Sequence, residues 1–407
     1  MTFQQHQLSN GLQVIAEINP SACSSALGFF VNTGACDETC EVGGVSHFLE
    51  HMAFKGNDRF TADDVNRVFD ELGAQYNAST SEEVTLYYAA ILPEYLPGTF
   101  ELLANLLRPA LRTEDFETEK QVILEEIGMY DDMPAFLVLE KAMEVHFEGH
   151  PLCQSVLGSI DTVSRLTVDQ MRGYFAERYR AGNITLAAAG NVDWNELLEL
   201  AEAHCGNWPQ GSPERLRCDC PPAGKTVLFA RPLNQQHLVT MGAAPSATDR
   251  LRFAAELVSV IVGDDTGSRL YWELVDPGHA ESADLSYNDY QGAGLWSTYL
   301  CSTPDQAARN LARIREVYAE VNRDGVTPDE LEQARTKVAS RVVLQSERPM
   351  GRLASLGGNW LHRQEYRTIE DDLRDLDGVT LADIRELLEA YPLTKVTTVG
   401  VGPLESI

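Results

Sequence analysis

One pattern of helix and strand occurs twice in this chain at a spacing of about half its length, and that repetition limits the available folds more than any single residue. Leu166–Tyr179 runs Leu-Thr-Val-Asp-Gln-Met-Arg-Gly-Tyr-Phe-Ala-Glu-Arg-Tyr and leads into Ile184–Gly190, Ile-Thr-Leu-Ala-Ala-Ala-Gly. Val379–Tyr391 runs Val-Thr-Leu-Ala-Asp-Ile-Arg-Glu-Leu-Leu-Glu-Ala-Tyr and leads into Val396–Gly400, Val-Thr-Thr-Val-Gly. Each pair reads as a helix followed by a buried strand. Glu114–Glu126 aligns in the same way with Asp329–Arg341, which puts Ala334 opposite Glu119 and Arg341 opposite Glu126. A period this long means duplicated domains, because solenoid repeats run to a few tens of residues.

The 407 residues are enough for two or three cores. Asn207–Lys225 gathers Pro, Gly and Ser with no hydrophobic periodicity, as an inter-domain linker does. The chain therefore divides into an N-terminal domain, 1–206, a linker, 207–225, and a homologous C-terminal domain, 226–407. Strands alternate with helices and several helices follow in each half, which predicts an α+β fold of two homologous α/β-layer halves.

Thirty-two basic and 61 acidic residues leave a formal net charge of −29. Nucleic acid and anionic membrane both select a positive surface, so neither is expected as a partner. Basic peptides suit the charge, and so does plain solubility. No run of eighteen apolar residues appears, so no transmembrane helix is expected. The N-terminus lacks a basic region followed by an apolar one, and reads as a cytoplasmic start. The eight scattered cysteines read as buried thiols; Cys36-x₃-Cys40 and Cys218-x-Cys220 lack the second pair that a zinc site needs.

Chemistry concentrates at His47-Phe48-Leu49-Glu50-His51. Positions i and i+4 share a helix face, so His47 and His51 can offer two imidazoles to one ion, with Glu50 beside them to take a proton from water. This is the H-x-x-E-H, or inverzincin, order. An amphipathic helix with two unremarkable histidines fits the same five letters, and Ser46 after Gly43-Gly44 is a candidate N-cap. A third ligand has a candidate source in Phe116–Ile127, a run of strong helix formers with no Pro or Gly. Glu119 and Glu126 are two turns apart there and share a face with Val122; an ordinary solvated helix face also fits.

Gly43–Gly56, together with the glutamate in Val122-Ile-Leu-Glu-Glu-Ile127, resembles the pitrilysin or insulinase-type zinc peptidases, particularly the mitochondrial processing peptidase subunits and their bacterial relatives. The 74 residues between His51 and Glu126 match that family's separation. The resemblance implies one Zn²⁺ per chain on His47, His51 and Glu126, with Glu50 as catalytic base and Glu119 as a supporting catalytic acid. Glu125 is the fallback ligand. Gly73–Tyr88 resembles the family's substrate-facing edge strand, which implies that Asn77 and Ala78 bind substrate; the residues alone read as a strand after a turn. Two such halves would close like a clamshell around a chamber.

The family pattern breaks in the second half. Active single-chain relatives carry an Arg and, seven residues later, a Tyr that steady the tetrahedral intermediate. Here Gly267-Ser-Arg-Leu is followed by Tyr271–Ser282, with Leu274 or Val275 at the Arg position and Glu281 or Ser282 at the Tyr position. The resemblance then implies a heterodimer whose partner supplies Arg and Tyr; a homodimer and a substitute within the chain, such as His279 or Tyr287, are the alternatives. Function narrows to a zinc endopeptidase acting on peptides or unfolded polypeptides through metal-activated water, or a non-catalytic binding or assembly subunit of the same fold. A zinc hydrolase of other substrates has no feature behind it.

Overall fold

The computed structural model describes residues 1–215, 218 and 224–407. Its contacts form two compact units, one of Met1–Gly128, Gln154–Leu216 and Leu344–Arg367, the other of Met129–Cys153, Arg217–Val343 and Thr368–Ile407.

The first unit is built on β1 (Thr2–Gln7), β2 (Gln13–Ile18), β3 (Ser25–Val31), β4 (Gln75–Thr80), β5 (Thr85–Ile91) and β6 (Ile184–Gly190), in sheet order β1-β2-β6-β3-β5-β4. β3 and β6 are buried along their whole length, as their continuous apolar runs require. Between and around the strands come α1 (Val45–Ala53), α2 (Ala62–Glu71), α3 (Leu96–Leu106), α4 (Thr113–Asp131), α5 (Pro134–His146), α6 (Ile160–Arg165), α7 (Val168–Arg178) and α8 (Trp194–Cys205). α5 alone among these falls wholly in the second unit. Residues 207–215 are tied to the first unit, where Trp208 is buried beside Phe29 and Arg215 bonds Asp37, whereas Cys218 and Lys225 bond His150 and Glu148 of the second.

The second unit carries β7 (Thr226–Ala230), β8 (Gln236–Ala243), α9 (Arg252–Gly263), β9 (Ser282–Asp289), β10 (Gly294–Ser302), α10 (Pro304–Asp324) and α11 (Pro328–Ser346). After α12 (Pro349–Arg363), which belongs to the first unit, it adds α13 (Ile369–Gly378), α14 (Leu381–Ala390) and β11 (Thr397–Gly402). Its order, β7-β11-β8-β10-β9, reproduces the first sheet without β1. Pairing directions agree as well, since β2–β6 and β7–β11 are parallel and the later pairs antiparallel. The helix–strand repeat reappears as α7–β6 and α14–β11, each helix opened by a threonine capping box at Thr167 and Thr380. The α+β duplication is thus present strand for strand.

Each half lends the other a helix. α5 packs on β11 and β8 of the second sheet, while α12 packs on β6 and β3 of the first. Leu353, Leu356 and Trp360 of α12 complete a core with Ile15, Phe30 and Ala187, and Arg352 bonds the buried Glu17. Among the described residues no helix is long and apolar enough to cross a membrane.

Candidate metal centre

The histidine motif forms α1, and its entry is set by backbone geometry. Gly44 is the N-cap at φ +90°, and a Cβ there would stand 2.6 Å from the Leu157 carbonyl oxygen, so no side chain fits. The expectation that Ser46 caps the helix is corrected: Ser46 lies inside it, fully buried, with its hydroxyl 2.7 Å from that of Tyr174. The free amides are instead held by Glu38, whose carboxylate accepts from Gly44 N–H at 2.6 Å and Ser46 N–H at 2.7 Å. Burial pushes Glu38 up to about 8 while those two residues pull it back.

α1 is locked to α4 by aromatic stacking. The buried rings of Phe48 and Phe116 lie 4.6 Å apart at 12°. This contact turns His47 and His51 toward Glu119 and Glu126. One donor atom each from His47, His51 and Glu126 lies within 4.8 Å of the others, and this is the one such group of His, Cys, Asp or Glu among the described residues. Glu126 Oε2 stands 3.8 Å from His47 Nε2 and 3.6 Å from His51 Nε2. Donors placed about 2.0–2.2 Å from a tetrahedral ion stand roughly 3.3–3.6 Å apart, so the set fits zinc after a small contraction. Glu125 is exposed and outside the group, whereas Val122 shows 44% exposure on the Glu126 side of α4.

The electrostatics suit a divalent cation. Burial, helped by His51, brings His47 down to about 4, so its imidazole is neutral and free to ligate. Burial also pulls His51 down, but the hydrogen bond to Glu119 and the charges of Glu126, Glu119 and Glu50 outweigh it and the net displacement is upward. Glu119 Oε1 lies 2.9 Å from His51 Nδ1, which fixes the ring and leaves Nε2 toward Glu126. Burial works to raise Glu119, yet His51 and Lys55, its ion-pair partner, hold it below the usual carboxylate range. Glu50, Glu119 and Glu126 against Lys55 leave two formal negative charges beside two imidazoles, the charge that one Zn²⁺ cancels. Glu119→Gln should keep the fold and weaken zinc binding by roughly 10–100-fold, measured by chelator competition.

Glu50 projects from α1 toward β4, where the Thr80 hydroxyl donates to Oε2. Burial raises the Glu50 pKa, the Thr80 bond and His51 oppose this, and Glu126 adds to it. β4 is the edge of its sheet, as the family resemblance implies, and Asn77 is exposed on it with its side-chain oxygen accepting from the Ala78 N–H at 2.9 Å. Ala78 faces inward, opposite Tyr87. Three residues bonded into the site went unread in the sequence. Lys55 lies in the turn that follows α1 and so escapes helical period, whereas Thr80 stands two positions after Ala78 on the same strand face and is marked by strand period. Glu38 is an acid shortly before a glycine turn and a helix.

In the second unit no zinc set recurs among the described residues. Arg341, opposite Glu126, bonds Asp264 at 2.7 Å; Lys337 bonds the same carboxylate, and Ala334 is buried. Leu274 is buried, Glu281 bonds Gln235, and Ser282 opens β9. The Tyr287 hydroxyl donates to Pro245 O at 2.7 Å and is committed there, while His279 is exposed in a turn. Cys205 and Cys301 are buried as expected, whereas Cys23 and Cys40 are exposed; Cys220 lies outside the described residues.

Residues 13–159 match the family described as Insulinase (Peptidase family M16), and residues 165–338 match the Peptidase M16 inactive domain. An uncharacterized zinc protease of Mycobacterium leprae is 30% identical over 406 residues, spanning 98% of this chain and 91% of its own. A protease from Helicobacter pylori superposes with a TM-score of 0.92 at 20% identity, covering 98% of this chain and 99% of that one. A Pseudomonas fluorescens structure described as a peptidase M16 inactive domain gives 0.93 at 18%, covering 99% and 98%. The chain belongs to the M16, or insulinase, family of metalloproteases.

Proposed function

We propose that this chain is a zinc-dependent endopeptidase for peptides or unfolded polypeptides, and the zinc-bearing subunit of a dimer. The observation that carries the reading is the meeting of His47, His51 and Glu126 donors within 4.8 Å of one another. Relatives named zinc proteases support zinc as the ion. Bound zinc supplies Lewis acidity, polarising a carbonyl and lowering the pKa of water from about 15.7 toward about 7. Glu50, with Oε2 engaged by Thr80, keeps Oε1 to accept a proton and return it to the leaving amine. Glu119 holds the His51 ring while Lys55 balances its charge. The open edge of β4 offers backbone groups to an extended peptide, with Asn77 and Ala78 as its seat.

The second reading, a non-catalytic binding subunit, is favoured by one observation: Leu274–Ser282 holds neither Arg nor Tyr. Turnover separates the two, and backbone dependence tests the seat. An unstructured peptide N-methylated next to the scissile bond should bind at least about tenfold more weakly than its parent, and compact proteins should be poor substrates. Equal affinity for the methylated peptide would remove strand addition from the account. Binding of the parent peptide without cleavage by the zinc-loaded dimer would favour the second reading.

A further inference from the structure

We infer that Thr80 is the positioning residue for Glu50, and that β4 thereby sets substrate and base in one register. The inference rests on the peptidase reading above. Among the described residues the Thr80 hydroxyl is the single hydrogen-bond donor to the Glu50 carboxylate, and it engages Oε2. Two tyrosines lie near enough to Glu50 to feel its charge. Tyr87 and Tyr179 are buried with hydroxyls 3.0 Å apart, bonded to each other and not to Glu50. The Glu50 side chain has three torsions and one tether. With Oε2 tied, rotation is arrested and Oε1 becomes the oxygen that faces the reacting water.

The tether belongs to a particular strand. Thr80 stands two residues beyond Ala78, on the same face of β4, and that strand is the sheet edge to which an extended peptide would add. A residue-by-residue ladder on β4 fixes where the scissile bond falls along the strand. The same backbone fixes the Thr80 hydroxyl and so the orientation of Glu50. Hydroxyl chemistry is what the position needs; a methyl of equal size in valine cannot donate.

The experiment compares Thr80→Val, Thr80→Ser and Glu50→Gln in the full chain, with its partner when one is identified. An unstructured fluorogenic peptide serves as substrate and elemental analysis gives zinc. Thr80→Val should hold the wild-type amount of zinc, keep KM within about twofold and lose roughly 10–100-fold in kcat, the range expected for a hydrogen bond to a charged group that fixes a reacting atom. Thr80→Ser should recover most of that loss. A readout independent of turnover is calorimetric binding of a phosphinic peptide, a mimic of the tetrahedral state. Thr80→Val should weaken it by a comparable factor without changing the affinity of the zinc-free protein for the parent peptide. Should Thr80→Val misfold, Thr80→Ala replaces it with the same expectation. Wild-type kcat in a zinc-loaded Val or Ala variant overturns the inference, as does a Ser variant as impaired as Val. Wild-type turnover in Glu50→Gln would instead overturn the peptidase reading itself.

Discussion

Glu50→Gln is expected to retain zinc while losing peptide hydrolysis by roughly 10²–10⁴, the usual contribution of a positioned general base. The amide keeps the size of the side chain and can still meet Thr80, but it cannot take a proton. Glu50 is absent from the group of donors formed by His47, His51 and Glu126, so its neutralisation leaves the ligands in place. Glu125→Gln is the matched control. That side chain points to solvent one position before Glu126, and its loss should change neither zinc nor rate. Turnover on a fluorogenic peptide and zinc by elemental analysis, measured on the same preparations, read both.

The second large effect concerns the partner. Leu274 is buried, Glu281 is bonded to Gln235, and the Tyr287 hydroxyl is spent on Pro245, so this segment offers no positioned donor at the family's positions. The isolated chain should therefore bind zinc and hydrolyse peptides slowly. Adding a homologous subunit that carries Arg and Tyr should raise kcat by about 10²–10³, the contribution of one oxyanion donor. Substituting either partner residue should abolish the gain without displacing zinc. Fast turnover by a preparation whose mass shows this chain alone would end the divided-labour proposal and turn attention to His279, which is exposed in its turn.

The motif helix and the two-turn spacing of Glu119 and Glu126 are legible because each is a local periodic pattern, and the duplication is legible because such patterns recur half a chain apart. The pairing of α7 with β6 and of α14 with β11 follows from the same kind of signal. The destination of α5 and α12 was not legible. Nothing in the periodicity of either segment says that it covers the sheet of the other half. Helix entry lies at Gly44 and not at Ser46 for a related reason. Ser46 is a good N-cap by residue type, but a left-handed glycine pressed against Leu157 starts the helix two residues earlier, and Glu38, eight positions before Ser46, holds the amides. The Thr80–Glu50 bond joins residues 30 apart and is visible only once α1 lies over β4.

The central claim is that His47, His51 and Glu126 are the protein's whole ligand set for one ion. Zinc stoichiometry and affinity of Glu126→Gln and His51→Ala, measured by chelator competition and elemental analysis on folded protein, test it without reference to substrate. Wild type should hold one zinc per chain, and either variant should emerge from purification essentially zinc-free. A Glu126→Gln protein that still holds one zinc at wild-type affinity would place the third ligand elsewhere and contradict the account.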